Sequence, residues 1–368
     1  MDFLLTCTAG LEALAKKEIV KCGGNITEVF DRLVFFSGDI SLIPKVNLHS
    51  RVGNKVYLVA GKSACYHFDD LYDTVFQIPW KKYITRYFPI HAKATSISSE
   101  LTSTPAIQKI VKKAIVDALT GKSHTLREEE DRKPFEVLAF LRENMAYILV
   151  NTSGDTLYKR GYKSQTGEAP IKESLAAGIL LISNWNFRTP FLDFCCGSGT
   201  LAIEAALLAR NVAPGMGRTF AFENRDFIDE KILEKEIHAA KQKIFPGKYQ
   251  IFASDIDADI IDIARGNAKN AAVEDTITFQ VRDIASYKKE KLSGTLLSNP
   301  PYGERLNPKD LQKIYADTAE IFAKNRELSG GIITAFEEFG MISKKDWKTR
   351  KLYNGNLKSY LYLKKKGE

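Results

Sequence analysis

The chain alternates between two hydrophobic periods. Runs with a period near two over Phe3 to Cys7, Ile26 to Phe30, Leu33 to Phe36 and Lys55 to Ala60 predict strands. Among them, Gly10 to Ile19 places apolar residues at 11, 14, 15 and 19, one face of a helix, and Ile40 to Leu48 predicts another. Phe68 to Val75 suits a short helix, and Phe88 to Ile97 contains a strand. Ser103-Thr104-Pro105 opens a helix over Ala106 to Leu119, because proline is tolerated in the first turn. Phe135 to Leu141 and Met145 to Asn151, joined by Arg142-Glu143-Asn144, predict a hairpin. Short strands mixed with helices suit small α+β modules.

The second half changes character. A helix begins within Glu168-Ala169-Pro170-Ile171-Lys172-Glu173-Ser174-Leu175-Ala176-Ala177. Strands are expected at Phe191 to Phe194, Tyr249 to Ala253, Thr276 to Val281, Gly294 to Ser298 and Gly331 to Phe336. Helices are expected from Thr200 onward, from Asp229 to Ile244 and from Asp310 to Lys324. Trp347 to Tyr353 and Lys358 to Leu363, turning at Asn354-Gly355, close the chain as a hairpin. Seven strands, five of them alternating with helical patterns, predict an α/β fold with an open, mostly parallel sheet.

At 368 residues the chain is too long for one ordinary core. No run of 18 apolar residues predicts a membrane helix, and Met1 to Cys7 lacks the basic start and long apolar stretch of a signal peptide, so no membrane partner is expected. The cysteines at 7, 22, 65, 195 and 196 have neither metal-ligand spacing nor an even disulfide framework. A reducing cytoplasm suits them, and no metal is expected. The formal net charge of +8 suits a polyanionic partner. Much of it is local: from Met341 to the end, Lys and Arg at 344, 345, 348, 350, 351, 358, 364, 365 and 366 face only Asp346 and Glu368. A solvated hairpin with a basic tail explains that cluster equally well.

Candidate chemistry gathers at the strand ends. Asn299-Pro300-Pro301-Tyr302 follows the strand Gly294 to Ser298. Neither proline can donate to a ladder, so the strand stops in a rigid kink. The Asn299 side-chain oxygen and the Pro300 carbonyl are two acceptors suited to a planar NH₂ group, and Tyr302 offers a ring on which a base can stack. Upstream, Asp193-Phe194-Cys195-Cys196-Gly197-Ser198-Gly199-Thr200 joins a strand to a helix through a glycine turn. That context is a nucleotide-binding fingerprint, but alone it does not separate a nicotinamide site from an S-adenosylmethionine (SAM) site. Three acids favour SAM. Asp193 could meet an ammonium group. Asp255, before Ile256 and Asp257, could accept ribose hydroxyls. Asp283, before Ile284, could accept from an adenine amine. Asp255 lies 58 positions beyond Gly197, far more than the roughly 20 residues usual after such a loop. The excess, between Asn211 and Lys248, reads as an insertion, either cover for a sheet edge or a substrate-side element, with cover slightly favoured.

The order of Gly loop, ribose acid, adenine acid and Asn-Pro-Pro-Tyr resembles class I SAM-dependent methyltransferases, and the tetrapeptide resembles their motif for exocyclic base amines. The resemblance assigns Asn299, Pro300 and Tyr302 to catalysis, and Asp193, Cys195, Gly197, Gly199, Thr200, Asp255, Ile256, Asp283 and Ile284 to SAM. The passages Leu101 to Lys109 and Asn151 to Tyr162 resemble a THUMP domain leading into its methyltransferase, and Thr6-Cys7-Thr8-Ala9-Gly10-Leu11-Glu12 is similar to the ferredoxin-like arm that precedes THUMP. THUMP domains bind RNA, so Lys109, Lys112 and Lys113 are candidate RNA contacts. The chain as a whole is similar to bacterial THUMP methyltransferases related to the large-subunit ribosomal RNA guanine-N2 enzyme. Such proteins have often been labelled N6-adenine-specific DNA methylases. The family's loop commonly begins Asp-Pro, whereas Phe194 stands at that position here. A second methyltransferase domain occurs in some relatives, and no second activity is expected from these 368 residues. The resemblance implies an arm over 1–43, a THUMP domain over 44–155 and a Rossmann-like methyltransferase domain over 156–368. It also implies 23S rRNA or a ribosome precursor as partner. A DNA or RNA adenine methylase, and a non-catalytic RNA-binding assembly factor, are the competing readings.

Overall fold

The computed structural model describes residues 1–84, 88–121, 133–163, 171–225, 227–302, 307–343 and 347–364. Glu168, Ala169 and Pro170 of the expected helix start, and Lys344, Lys345, Lys365 and Lys366 of the basic cluster, lie outside the described residues.

In the first half the elements run β1 (Asp2–Cys7), α1 (Glu12–Lys21), β2 (Asn25–Phe30), β3 (Leu33–Ser37), α2 (Leu42–His49), β4 (Gly53–Ala64), α3 (Phe68–Phe76), β5 (Ile90–Ile97), α4 (Thr104–Thr120), β6 (Phe135–Arg142) and β7 (Met145–Asn151). Period-two alternation sends Val34, Phe36, Val56, Leu58, Val137, Ala139, Ile148 and Val150 to a core shared with the helices. The opposite face carries Leu4, Phe35, Tyr57, Phe140, Tyr147 and Leu149, a separate cluster drawn from strands alone. All seven strands form one sheet in the order β2-β3-β1-β4-β7-β6-β5. The long β4 pairs with β1 on one side and β7 on the other, so the arm and the THUMP region share a sheet across residue 43.

The second half runs α5 (Glu173–Ser183), β8 (Phe191–Asp193), α6 (Thr200–Ala209), α7 (Glu230–Gln242), β9 (Ile251–Asp255), α8 (Ala258–Asn270), β10 (Ile277–Val281), β11 (Gly294–Ser298), α9 (Pro308–Lys324), β12 (Leu328–Thr334), α10 (Phe339–Ser343), β13 (Lys348–Asn354) and β14 (Leu357–Lys364). Its strand order is β10-β9-β8-β11-β12-β14-β13, parallel except for the final hairpin. The chain leaves β8 toward β9 and β10, then returns to β11 on the other side of β8. That reversal creates the crevice at the strand ends where open α/β sheets bind ligands.

Buried charge ties the two halves together. The Arg51 guanidinium donates to the carbonyls of Val212 at 2.8 Å and Leu207 at 3.5 Å. Arg160 Nε lies 3.6 Å from Glu204 Oε1, which also accepts from the Tyr162 hydroxyl at 3.2 Å. Glu204 is fully buried on α6, and these partners offset the cost of placing its carboxyl there.

The 211–248 insertion is an inter-domain brace. Its Ala213 and Ala240 pack on Leu48 of α2, and the Gly215 amide donates to the Leu48 carbonyl at 2.9 Å. Arg218 donates to the carbonyls of Thr156 at 2.6 Å and Asp155 at 2.7 Å.

Candidate active site

At the end of β8 the chain must turn sharply into α6. Gly197 (φ 51°) and Gly199 (φ 82°) both adopt left-handed backbone, which glycine tolerates without a Cβ penalty. At Gly199 a Cβ would also approach Ala264 of α8 to 3.1 Å, so this turn and α8 are packed against each other. Asn267 of α8 holds the turn by donating its amide to the Ser198 carbonyl at 3.1 Å.

The Gly197 amide donates to Asp255 Oδ2 at 2.9 Å, and the Asp257 amide donates to Asp255 Oδ1 at 3.3 Å. Asp255 thus joins the Gly loop to the end of β9. Burial pushes its carboxyl above the ordinary range, opposed by the amides that donate to it. Asp257 instead caps α8, accepting from the Asp259 amide at 2.9 Å. Asp283 accepts from the Ala285 amide at 2.8 Å and opens a 3-10 turn over Ile284–Lys289.

Beneath the loop, fully buried Asp193 accepts from Ser298 Oγ at 2.8 Å, and that oxygen accepts from the Phe194 amide at 2.8 Å. Ser298 is the last residue of β11, so this chain of bonds joins the two strands at the crevice. The Asp193 Oδ2 atom is buried and has no hydrogen-bond partner among the described residues. Burial raises its carboxyl to about 7. Burial likewise pushes the Cys195 and Cys196 thiols well up, which disfavours the thiolate form.

A cavity of about 550 Å³ opens over these strand ends. Of the residues singled out from sequence, it brings together Cys195, Gly197, Thr200, Asp255, Ile256, Asp283, Ile284 and Asn299. Asp193, Gly199, Pro300 and Tyr302 are absent from its wall, which carries Pro301 instead. Tyr302 is 8% exposed, so in this conformation its ring is not an open platform. Lys109, Lys112 and Lys113 are exposed on α4, outside the cavity. Lys113 Nζ lies over the Tyr72 ring at 5.8 Å.

Sequence reasoning missed several contributors. Phe194 stacks on Tyr287 with centroids 3.7 Å apart and planes 8° from parallel, and Arg282 covers the other face of Tyr287 at 3.7 Å. The departure from proline at position 194 therefore ties the Gly loop to the turn that follows Asp283. Tyr315 of α9 is fully buried behind the kink. Asp310, Lys313, Ile314 and Asp317, spaced along one face of α9, complete the cavity wall. The i, i+3, i+4, i+7 spacing was visible in the sequence, but nothing there showed which way the face pointed.

The wall fits SAM chemically: Asp255 and Asp283 can take hydroxyl and amine donors, and Ile256 offers an apolar surface that is 69% exposed. Beneath the wall rather than on it, Asp193 Oδ2 is a buried acceptor without a hydrogen-bond partner among the described residues, suited to an ammonium group that reaches it.

The strand order, the glycine turn after the first strand of the sheet and the acids after the next two define a class I methyltransferase. Comparison with known families is in accord. Residues 160–362 match the RMKL-like methyltransferase domain, residues 2–57 the RlmL ferredoxin-like domain and residues 65–151 the THUMP domain. The chain belongs to the RMKL-like methyltransferase family. It is 35% identical to Bacillus subtilis (strain 168) YpsC, provisionally named an RNA methyltransferase, over 98% of this chain and 94% of that protein. It is 31% identical to the ribosomal RNA large subunit methyltransferase K/L of Shewanella baltica (strain OS185) over 97% of this chain, and spans about half (52%) of that longer protein. The crystal structure of SMU.472, provisionally named a methyltransferase and complexed with SAH, superposes with a TM-score of 0.88 at 35% identity, covering 98% of this chain and 97% of that one.

Proposed function

We propose that this protein transfers a methyl group from SAM to an exocyclic base amine of RNA, and that the amine is N2 of a guanosine in large-subunit ribosomal RNA. The observation that carries the reading is the shared cavity, in which Asn299 meets the Gly loop, Asp255 and Asp283. The THUMP domain and the names of the K/L and YpsC relatives support RNA as substrate.

When bound, SAM supplies an electrophilic methyl group on a sulfonium. The chain's own residues supply position. Asp255, which keeps the loop in place through Gly197, would hold the ribose hydroxyls. Asp283 would accept from the adenine amine, and the loop from Cys195 to Gly199 would hold the methionine portion. The Pro301 carbonyl is already engaged by the Tyr315 hydroxyl. The acceptors proposed for the substrate amine are the Asn299 side-chain oxygen, on the cavity wall, and the Pro300 carbonyl, which lies outside that wall without substrate. Accepting hydrogen bonds from both N–H groups would turn the nitrogen lone pair out of conjugation; as the N–C bond formed the S–C bond of SAM would break, SAH would leave, and the methylated nitrogen would then lose one proton to solvent. The base must leave its helix to reach this kink. Once flipped, it would stack on Tyr302, which requires that ring to uncover when RNA binds. Positioning and local electrostatics account for the rate, with no dedicated base.

The test is mass spectrometry of ribosomal RNA nucleosides from cells with and without the gene, followed by transfer of labelled methyl groups to the unmethylated RNA by purified protein. Loss of N2-methylguanosine, restored in vitro, is the expected result. Loss of an N6-methyladenosine, or no change, would reject it.

A further inference from the structure

Asn299 can grip any exocyclic amine, so something else must tell guanine from adenine. Among the described residues, Lys313 is the one cation lining the same cavity, and Asp310 is the acid one turn before it on the same helix. Asp310 and Lys313 both line the cavity, together with Asn299 and Pro301. They lie one turn apart near the start of α9, about 4.5 Å along its axis, and both are exposed. Asn307 fixes the start of this helix: its side-chain oxygen accepts from the Asp310 amide at 3.0 Å, and its side-chain NH₂ donates to the Asp310 carboxylate. One turn further on, Asp317 is already neutralised by Lys288 at 2.6 Å, so the lower end of the stripe is closed to a ligand.

We infer that Asp310 and Lys313 read the Watson–Crick edge of the target base and select guanine, an inference that rests on the amine-methylation reading above. Guanine presents N2–H₂, N1–H and O6 in sequence along that edge: two donors, then an acceptor. Asn299 and the Pro300 carbonyl take the amine. A carboxylate beside them accepts from N1–H, and an ammonium beyond it donates to O6. Adenine reverses the pattern next to its amine, because its N1 is an acceptor. A carboxylate there meets a lone pair, and adenine has no oxygen for the lysine. Cytosine fails in the same way, since N3 beside its amine is also an acceptor. A site built around a donor and an acceptor rejects bases that lack them far more strongly than a shape-selective pocket does.

The alternative occupant of this wall is the adenine ring of SAM, and the experiment separates the two. Wild type, Asp310→Ala, Asp310→Glu and Lys313→Ala proteins are given transcribed large-subunit ribosomal RNA and labelled SAM. The methylated base is identified by mass spectrometry, and SAM affinity is measured by calorimetry without RNA. Both side chains are exposed, so the variants should fold. The expected result is guanine methylation by wild type, roughly ten- to hundredfold less by Asp310→Ala and Lys313→Ala, partial recovery in Asp310→Glu, and SAM affinity within twofold throughout. Variants that methylate guanine at the wild-type rate would overturn the inference and leave the function intact. A parallel fall in SAM affinity would move both residues to the cofactor wall. Adenine as the wild-type product would overturn the inference and the guanine assignment together.

Discussion

The Tyr315 hydroxyl donates to the Pro301 carbonyl across 3.0 Å, from a side chain that is fully buried on α9. Its oxygen also bonds to Thr334 Oγ1, which accepts from the Phe336 amide at 2.9 Å. A hydroxyl has a single proton, so if Tyr315 donates to Pro301, Thr334 donates to Tyr315. The relay runs from the end of β12 to the kink after β11 and fixes where the second proline stands.

Removing that hydroxyl should therefore affect chemistry more than binding. In Tyr315→Phe the Pro301 carbonyl loses a buried partner, at a cost of about 1–3 kcal/mol. The expected outcome is a several-fold to tenfold fall in turnover with SAM affinity unchanged, measured by methyl transfer at saturating SAM and by calorimetry. Equal loss of both would reduce Tyr315 to a packing residue.

Asn299→Ala separates the two jobs of the cavity more sharply. The side chain has no assigned part in holding SAM, so affinity should stay within about twofold while turnover falls roughly 10²–10³-fold, the range for loss of one preorganised polar group. If SAM binding falls as far as turnover, Asn299 is not the amine acceptor.

Asp255 accepts from the Gly197 and Asp257 amides, and on the proposed reading it also holds the ribose hydroxyls. Asp255→Ala should weaken SAM at least tenfold, whereas Asp255→Asn, which keeps one acceptor oxygen for the loop, should weaken it less. Unchanged affinity in both would shift the ribose role elsewhere. Asp257 is the next acid, although its carboxylate already caps α8.

The sequence was most informative where chemistry needs a particular residue type. Asp255, Asp283 and Asn299, which share one cavity, could be singled out as candidates because strand ends, glycine turns and paired prolines leave local signatures, and the strands β8 to β14 were read from their apolar runs. What escaped depends on tertiary placement. The pattern of α8 is weak because its buried stripe includes Ala264, Ala268 and the polar Asn267. No local feature shows that β4 joins the arm to the THUMP strands, because pairing partners are chosen by the whole sheet. The 211–248 insertion looked like cover for a sheet edge because its contact with α2 links residues far apart in the chain. Tyr315 and Ser298 resembled ordinary core positions, and only their partners reveal them as supports of the kink and of Asp193.

Asp193, buried beneath the Gly loop, should make SAM binding sensitive to pH. Burial holds its carboxyl near 7 without ligand, well above its ordinary value of 3.8. In the ligand-free fold the proton is therefore favoured: this contribution to stability is fully present below about pH 4 and is lost as pH rises through about 7. An ammonium group brought to Asp193 Oδ2 reverses the preference, because the charged form then has a partner. Below pH 7 binding must expel the proton, so SAM affinity should rise with pH, by up to about tenfold per unit, and level off above 7. Calorimetry in buffers of differing ionisation enthalpy should detect proton release at pH 6 and much less at pH 8. Asp193→Asn should bind more weakly, and its affinity should lack this pH dependence. Comparing the melting temperatures of ligand-free wild type and Asp193→Asn between pH 4 and 7 isolates the stability component, with wild type losing ground as pH rises. A wild-type affinity that stays flat from pH 5.5 to 8 would place the ammonium group away from Asp193.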